Sequence, residues 1–393
     1  MTKKIAFVGC GFVADYYRDT LKNHPDLELI GVMDRDSERA SQFSLHYSVS
    51  VYPTLEALLS DPKVEIVANL TNPNSHFAIS KACLEAGKHV YSEKPLAMEL
   101  SEAKELVELA DKNGLYLSSA PCGLLGETAQ TIWKALRNKE VGEVQVVYAE
   151  IDDGPIHLEH PNKWLSKSGA PWPYKDEFEV GCTLEHAGYY LTWFPAFFGP
   201  ADKITAFSSC LIPNKQVLEN EPLTINTPDF SVACITFESG VVARLTCSIV
   251  APFNHAMQII GEKGILSIDE CWNYYAPVYI KKYSKFGFRA EKYPLMRKYP
   301  FLKTLLGLHP KQYPLIKKPN LKLRNLRHYQ DFSRGIAELA QAITENRRCR
   351  IPADYALHVN EMVLAIQNAF VSGTPYQMTT TFESLGESGI GNR

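Results

Sequence analysis

Apolar and polar positions follow two different rhythms along this chain, and the rhythm changes near residue 121. Over the first 120 positions, short and nearly all-apolar runs at 5–8, 27–33, 65–70, 89–91 and 115–119, with a weaker one at 49–52, predict strands. Between them, apolar residues recur every three or four positions at 37–45, 55–59, 75–86 and 101–112, the spacing of helices with one buried face. Alternation of this kind predicts a parallel sheet covered by helices on both sides. Beyond Pro121 a helix is expected at 127–137, then a long strand at 143–151. From 203 to 281 strand patterns crowd together at 203–208, 230–237, 241–250, 256–260, 264–268 and 278–281. Turns at Glu238-Ser239-Gly240 and Gly261-Glu262-Lys263-Gly264 predict antiparallel pairing there. Helices at 329–346 and 354–371 close the chain, and a loose end is expected from Gly386.

The first strand runs straight into Gly9-Cys10-Gly11-Phe12-Val13-Ala14, a G-x-G-x-x-A turn opening a helix. Gly9 permits a tight turn, Gly11 lets backbone approach a pyrophosphate, and Ala14 allows close packing of helix on strand. Phe12 and Val13 begin that helix, whose N-terminal N–H groups and dipole favour phosphate. The second strand ends at Asp34, where a carboxylate can accept the ribose hydroxyls of an adenosine. Asp34 favours NAD; the neighbouring Arg35 keeps NADP open, because a guanidinium there can hold a 2′-phosphate. The expected fold is therefore α/β, with an N-terminal Rossmann dinucleotide-binding domain over 1–121. A C-terminal α+β domain with a large, mostly antiparallel sheet follows over 122–375, and then a tail over 376–393.

Composition narrows the class. The 393 residues are 45% hydrophobic and 22% charged, with no apolar run long enough for a membrane span and no cleavage-site pattern after Met1. Nine scattered cysteines without a C-x-x-C pair point to reduced thiols in the cytoplasm and to neither structural zinc nor another metal. The net charge of −3 conceals a basic insertion: between 281 and 327 there are fourteen Lys or Arg and one acid, Glu291. That insertion reads as a contact with a neighbouring subunit, a surface for a phosphorylated substrate, or a patch resting on a membrane surface. It carries no nucleic-acid-binding motif.

Three further segments carry chemistry: Thr71-Asn72-Pro73-Asn74-Ser75-His76, Ser92-Glu93-Lys94-Pro95-Leu96-Ala97 and Gly181-Cys182-Thr183-Leu184-Glu185-His186-Ala187-Gly188-Tyr189. Together with the glycine turn, they resemble the glucose-fructose oxidoreductase / inositol dehydrogenase / MocA family, closely over the first 120 residues and by layout thereafter. Loops at the C-terminal ends of parallel strands bind ligands, so Thr71, Asn72, Pro73, His76, Glu93 and Lys94 are expected at the cofactor. The resemblance implies that Lys94 lies beside the nicotinamide and the reacting hydroxyl, and that the bond before Pro95 is cis. An ammonium there stabilises developing alkoxide or lowers a neighbouring acid's pKa.

The family's usual Asp and His, four apart on one helix, correspond here to Glu185 and Tyr189. Some members resemble this chain in using tyrosine. Tyr189 can serve as acid or base if Lys94 depresses its pKa, with Glu185 orienting it or binding a hydroxyl. His186 is the alternative, since imidazole titrates nearer neutrality. Cys122 lies in a segment where the family more often shows an aromatic-Asn-Arg pattern, at the mouth of the same cleft. It is either a substrate contact or a small residue in a turn. Trp164, Trp172 and Lys175 occupy a loop that can cover a sugar ring or simply pack on the sheet.

The resemblance implies an NAD(P)-dependent oxidoreductase. It would exchange a hydride between nicotinamide and a secondary alcohol or ketone of a sugar, sugar nucleotide or cyclitol, as a dimer or tetramer. The alternative is glycoside cleavage or elimination through transient oxidation with a tightly held cofactor.

Overall fold

In the computed structural model the described residues are 2–217, 222–284, 292–299, 301–305, 308–317, 329–372 and 375–385. The first sheet contains β1 (Lys3–Val8), β2 (Leu27–Met33), β3 (Ile66–Asn69), β4 (His89–Ser92) and β5 (Leu117–Ser119), in the order β2-β1-β3-β4-β5. Every pair is parallel, as the buried runs predict. Between the strands run α1 (Phe12–Leu21), α2 (Ser37–Tyr47), α3 (Leu55–Ser60), α4 (His76–Glu85) and α5 (Leu100–Lys112). Local capping fixes two of their starts: Asp36 accepts from Glu38 N and Arg39 N at α2, and Thr54 from Ala57 N at α3. The expected strand at 49–52 is reduced to a single bridge, Val32 to Val51.

α6 (Glu127–Arg137) leads into β6 (Val144–Asp152). After α7 (Tyr174–Val180), α8 (Gly188–Leu191) and α9 (Phe194–Phe198), the chain forms β7 (Ala201–Ser209) and a small hairpin of β8 (Asn214–Lys215) and β9 (Leu223–Thr224). There follow β10 (Phe230–Phe237), β11 (Val242–Ser248), β12 (Met257–Gly261), β13 (Gly264–Ile268), β14 (Val278–Lys282), β15 (Lys311–Tyr313) and β16 (Tyr376–Gln377). The nine-stranded sheet has the order β15-β14-β13-β12-β6-β11-β10-β7-β16. It is antiparallel throughout except where β6 lies parallel to β11, in keeping with the expected large, mostly antiparallel sheet. The long excursion from β6 to β7 is what permits a parallel neighbour, because a parallel pair cannot be closed by a tight turn.

Besides the β8–β9 hairpin, two strands of the nine-stranded sheet were not anticipated. β15 comes from the basic insertion, whose remaining expected features at 285–291, 300, 306–307 and 318–327 lie outside the described residues, as does the end from Gly386. β16 turns the start of the expected tail into an edge strand on β7. Glu361 then anchors the following residues, accepting from Tyr376 Oη at 2.9 Å, Thr379 N at 2.9 Å and Thr380 N at 2.8 Å.

The C-terminal helices return to the first sheet. Helix Arg334–Glu345 places Ile336, Leu339 and Ala342 in the same core as Ile5, Phe7 and Tyr91, and Ala356 of helix Ala353–Gln367 joins the core on the other face. At Gly335 an added Cβ would lie 2.3 Å from Tyr91 Oη and 2.5 Å from its Cζ, on a ring with no exposure. Gly335→Ala is therefore expected to lower the unfolding free energy by about 1–3 kcal/mol, as overpacking does. Urea unfolding reads this, and an unchanged midpoint would show that the helix does not sit on Tyr91.

Candidate active site

The glycine turn has the geometry its spacing predicts. Gly9 adopts φ +100°, and a Cβ there would lie 2.5 Å from Leu70 O, so the first and third strand ends touch through backbone. A Cβ at Gly11 would meet nothing within 4 Å, which leaves open space over the N-terminus of α1. Asp34 sits at the end of β2 and accepts from Cys10 N at 2.8 Å and Asp36 N at 2.9 Å. Arg35 is exposed, and it is Arg39, in the first turn of α2, that faces this carboxylate at 3.9 Å. An open backbone cradle at a helix N-terminus beside an acid fits a dinucleotide; Gly9, Gly11 and α1 are the groups that could hold its pyrophosphate and Asp34 the one that could hold a ribose. Arg39 is the residue that sequence reasoning passed over; its only signal was a place one turn into the helix after the acid.

Lys94 follows β4, and its peptide bond to Pro95 is cis. Its ammonium forms an ion pair with Glu185, 91 residues further on, so two of the segments singled out in the sequence meet through their side chains. The Glu185 side chain is 3% exposed and that of Lys94 20%. Burial opposes charge on both groups. On Lys94, however, the carboxylates of Glu185 and Glu177 outweigh it and hold the pKa far above the usual lysine range, while Lys94 holds Glu185 ionised. Burial and the charge on Glu185 push Glu177, on α7, well above the usual carboxylate range. Two carboxyl groups whose pKa values are driven apart beside one ammonium form a proton-handling cluster.

The segment carrying Glu185 is not a plain α-helix. Thr183–Ala187 is wound as a wide π turn that passes into α8. Cys182 N donates to Pro228 O at 3.0 Å and Thr183 Oγ1 to Ser231 Oγ at 2.9 Å, pinning the turn to the strand side. His186 and Tyr189 both pack on Trp272, at 6.5 and 5.5 Å between ring centroids. Burial pushes the Tyr189 phenol up, and although Lys94 acts in the expected downward sense it does not prevail. The condition set for Tyr189, a phenol depressed by Lys94, is therefore not met, and burial keeps the phenol protonated.

His186 makes an ion-pair contact with Asp153, at the end of β6. The second oxygen of Asp153 lies 2.6 Å from His255 Nε2, and His255 Nδ1 lies 3.1 Å from Glu270 Oε1. Burial works against these charges, but His186 and His255 hold Asp153 down at about 2, while Asp153, Cys271 and Glu270 push His255 up to about 12. His255, Glu270 and Cys271 each offer a ligand atom within 4.8 Å of the others. Both nitrogens of that imidazole already face carboxylates, so a charged imidazole accounts for the cluster. Asp153, His255, Glu177 and Trp272 escaped the sequence reading because no local pattern links residues so distant in the chain.

Other expected site residues take supporting places. His76 is fully buried, with Nδ1 2.6 Å from Pro95 O and Nε2 2.9 Å from Thr71 O, so it ties two loops together and does not face a cofactor. Glu93 is also buried; it accepts from Tyr17 Oη at 2.6 Å and from Lys94 N at 3.0 Å, which anchors the lysine to α1. Asn72 donates to Asp176 of α7 at 3.3 Å, while Thr71 Oγ1 is turned onto Asn69 Oδ1. Pro73 opens a short 3₁₀ turn, Pro73–Ser75, ahead of α4. Phe12 and Val13 lie half-buried at the start of α1. Cys122 is a correction: it is 4% exposed and packed against Tyr274 Oη, and burial raises its thiol, so it is core rather than a substrate contact. Trp164 and Trp172 are half-buried, 5.0 Å apart, and pack on the core, with Lys175 exposed beside them.

A parallel-sheet domain with an open phosphate cradle, joined by Lys94 to a buried acid of the second sheet's helical layer, defines a dinucleotide-dependent oxidoreductase. The chain belongs to the GFO/IDH/MocA oxidoreductase family: residues 3–120 match its NAD-binding Rossmann fold and residues 129–267 its C-terminal domain. It is 24% identical over 277 residues to trans-1,2-dihydrobenzene-1,2-diol dehydrogenase of Bos taurus, across 70% of this chain and 76% of that one. Among solved structures, an NAD binding oxidoreductase from Klebsiella pneumoniae superposes with a TM-score of 0.78 at 18% identity, covering 97% of this chain and 100% of that one. A 3-ketoreductase from Actinomadura kijaniata in complex with NADP gives 0.67 at 18%, covering 94% and 97%. No helix among the described residues is long and apolar enough to cross a membrane.

The buried ion pairs predict a pH signature. The raised pKa of His255 contributes stability in full below the ordinary imidazole value of about 6.5, and that contribution declines as pH rises towards 12. The lowered pKa of Asp153 contributes above about 3.9 and is lost as pH falls through about 2. The gap in unfolding free energy between the parent protein and His255→Gln should therefore be widest between about pH 4 and 6.5 and narrow above it. A gap that stays constant across urea titrations from pH 5 to 9 would contradict this.

Proposed function

We propose that this protein interconverts a secondary alcohol and a ketone on a sugar, sugar nucleotide or cyclitol, using NAD or NADP. The ion pair between Lys94 and Glu185 carries the reading, because it brings the loop after β4 to the proton-handling groups of the π turn. Bound over the glycine turn, the nicotinamide cofactor supplies the two-electron acceptor or donor for the reaction. Lys94 stabilises negative charge developing on the substrate oxygen, and Glu185 fixes the lysine there. Tyr189 and His186, on the shared Trp272 wall, are placed to hand a proton to that oxygen or take one from it. Diol dehydrogenase and 3-ketoreductase chemistry in the relatives supports a hydroxylated carbon as the reacting centre.

One observation favours the second reading, transient oxidation with a retained cofactor. The loop between β6 and α7 reaches across to α1, where Ser168 N and Oγ donate to Asp15 at 2.8 Å each and Lys167 pairs with Asp19. A strap on the helix that begins at the cradle would slow cofactor exchange.

We also place the protein in the cytoplasm as a homo-oligomer. All nine cysteines are free, and Tyr148 of β6 and Phe207 of β7 stand exposed on the nine-stranded sheet, where a second copy can cover them. Sedimentation should show a dimer or tetramer; a monomer at micromolar concentration would remove this assignment.

The central test screens NADH or NADPH formation against UDP-N-acetylglucosamine, myo-inositol, D-glucose and trans-1,2-dihydrobenzene-1,2-diol. Stoichiometric reduced cofactor supports the dehydrogenase reading, and turnover without it supports the second. Lys94→Ala should lower turnover about 10²–10³-fold, the cost of removing a donor aimed at developing charge, while cofactor affinity changes little. Unchanged turnover would dispose of the mechanism.

A further inference from the structure

Resting on the alcohol–ketone reading, we propose that Asp153 is the positioning residue of His186 and makes that imidazole, rather than the Tyr189 phenol, the group that exchanges the substrate's proton. The two residues are distant in the chain, one at the end of β6 and the other in the π turn, yet their side chains are in ion-pair contact. Asp153 is 3% exposed and its two oxygens are divided between His186 Nδ1 and His255 Nε2. His255 is fully buried, faces Glu270 with its other nitrogen, and is flanked by the rings of Phe253 and Trp272 at 4.2 and 4.6 Å. Tyr190 Oη donates to the His255 carbonyl, so the element that carries the site is fastened to the histidine behind Asp153. The carboxylate therefore cannot swing away from His186.

The consequence is a fixed tautomer. With the Asp153 carboxylate against Nδ1, the proposal puts the proton of the neutral ring on that nitrogen and leaves Nε2 as the acceptor. That atom has no hydrogen-bond partner among the described residues, and the side chain is 14% exposed. His186 and Tyr189 are three residues apart and share the Trp272 wall. During oxidation the substrate O–H bond breaks and an Nε2–H bond forms. The carbon is oxidised and the nicotinamide reduced, and Asp153 stabilises the imidazolium until Nε2 releases its proton. Reduction runs the same transfer backwards. A carboxylate behind an imidazole, holding its tautomer and steadying its charge, is a known device of acid–base catalysis. Around the ring the titratable groups are Glu185 on its own turn, Asp153 just after β6, Lys94 from the loop after β4, and His255, Glu270 and the Cys271 thiol behind Asp153.

The test begins without substrate. Nitrogen-15 spectra of histidine-labelled protein, with His186 assigned by its loss in His186→Gln, should show the Nδ1–H tautomer. Asp153→Asn should shift it towards Nε2–H. If Asp153→Asn does not fold, His255→Gln, which frees one side of Asp153, should give a smaller change in the same direction. A His186 signal indifferent to both variants would overturn the proposal. With whichever alcohol in the panel reduces cofactor fastest, Asp153→Asn should lower kcat about 10²–10⁴-fold. His186→Gln should abolish the acid limb of the pH–rate profile, whereas Tyr189→Phe should keep it. Survival of that limb in His186→Gln would also overturn the proposal. Loss of turnover in Lys94→Ala together with normal kinetics in Asp153→Asn would sink this inference and leave the alcohol–ketone reading standing. Full turnover in Lys94→Ala would remove that reading itself.

Discussion

One ion pair spans the two halves of this protein. Lys94 leaves the first sheet at the end of β4 and Glu185 stands in the helical layer of the second sheet, and each would be costly to bury alone. Paired, the two groups offset one another's charge and fix where the halves meet. The contacts around them serve that juncture: Glu93 anchors the backbone of Lys94 to Tyr17 of α1, His76 ties the Thr71 and Pro95 carbonyls, and Asn72 reaches Asp176 of α7. The C-terminal helices reinforce it, since they pack on the first sheet after the chain has built the second. Moving either half would separate the cofactor cradle from the groups that handle protons.

Electrostatics divides labour within the cleft. Lys94 is held positive and Glu185 negative, Glu177 is pushed towards its neutral form, and burial keeps Tyr189 protonated. His186 draws its definition from elsewhere, through Asp153 and the buried His255. Two proton-handling arrangements therefore lie in the cleft, one built on Lys94 and the other on Asp153. Both depend on burial, which strengthens the field of each charged partner.

What could be read directly from residues 1–120 was governed by local order. Five apolar runs separated by helix-spaced stretches became five parallel strands, and β2 spans the very residues its pattern predicts, Leu27–Met33. The glycine turn and Asp34 were equally legible, because a phosphate cradle is written in consecutive residues. Other features depend on contacts far apart in the chain. The β6–β11 ladder is parallel, β15 and β16 are short edge strands with little apolar pattern, and Thr183–Ala187 has nothing in its composition to distinguish a π turn from an α turn. His76 and Cys122 are of types that often serve chemistry, yet both are buried by tertiary packing that no local reading reveals. Asp153 and His255 form the opposite case: nothing around them in sequence marks them, and only the fold brings them to His186.

The juncture between the halves is best tested by a double-mutant cycle on Lys94→Met and Glu185→Gln, with unfolding free energies from urea titration of each single variant, the pair and the parent. Residues in one buried ion pair should be coupled, so removing both should cost less than the sum of the single losses by about 1–3 kcal/mol. Losses that add within about 0.5 kcal/mol, the behaviour of independent sites, would mean that the two side chains do not hold the halves together.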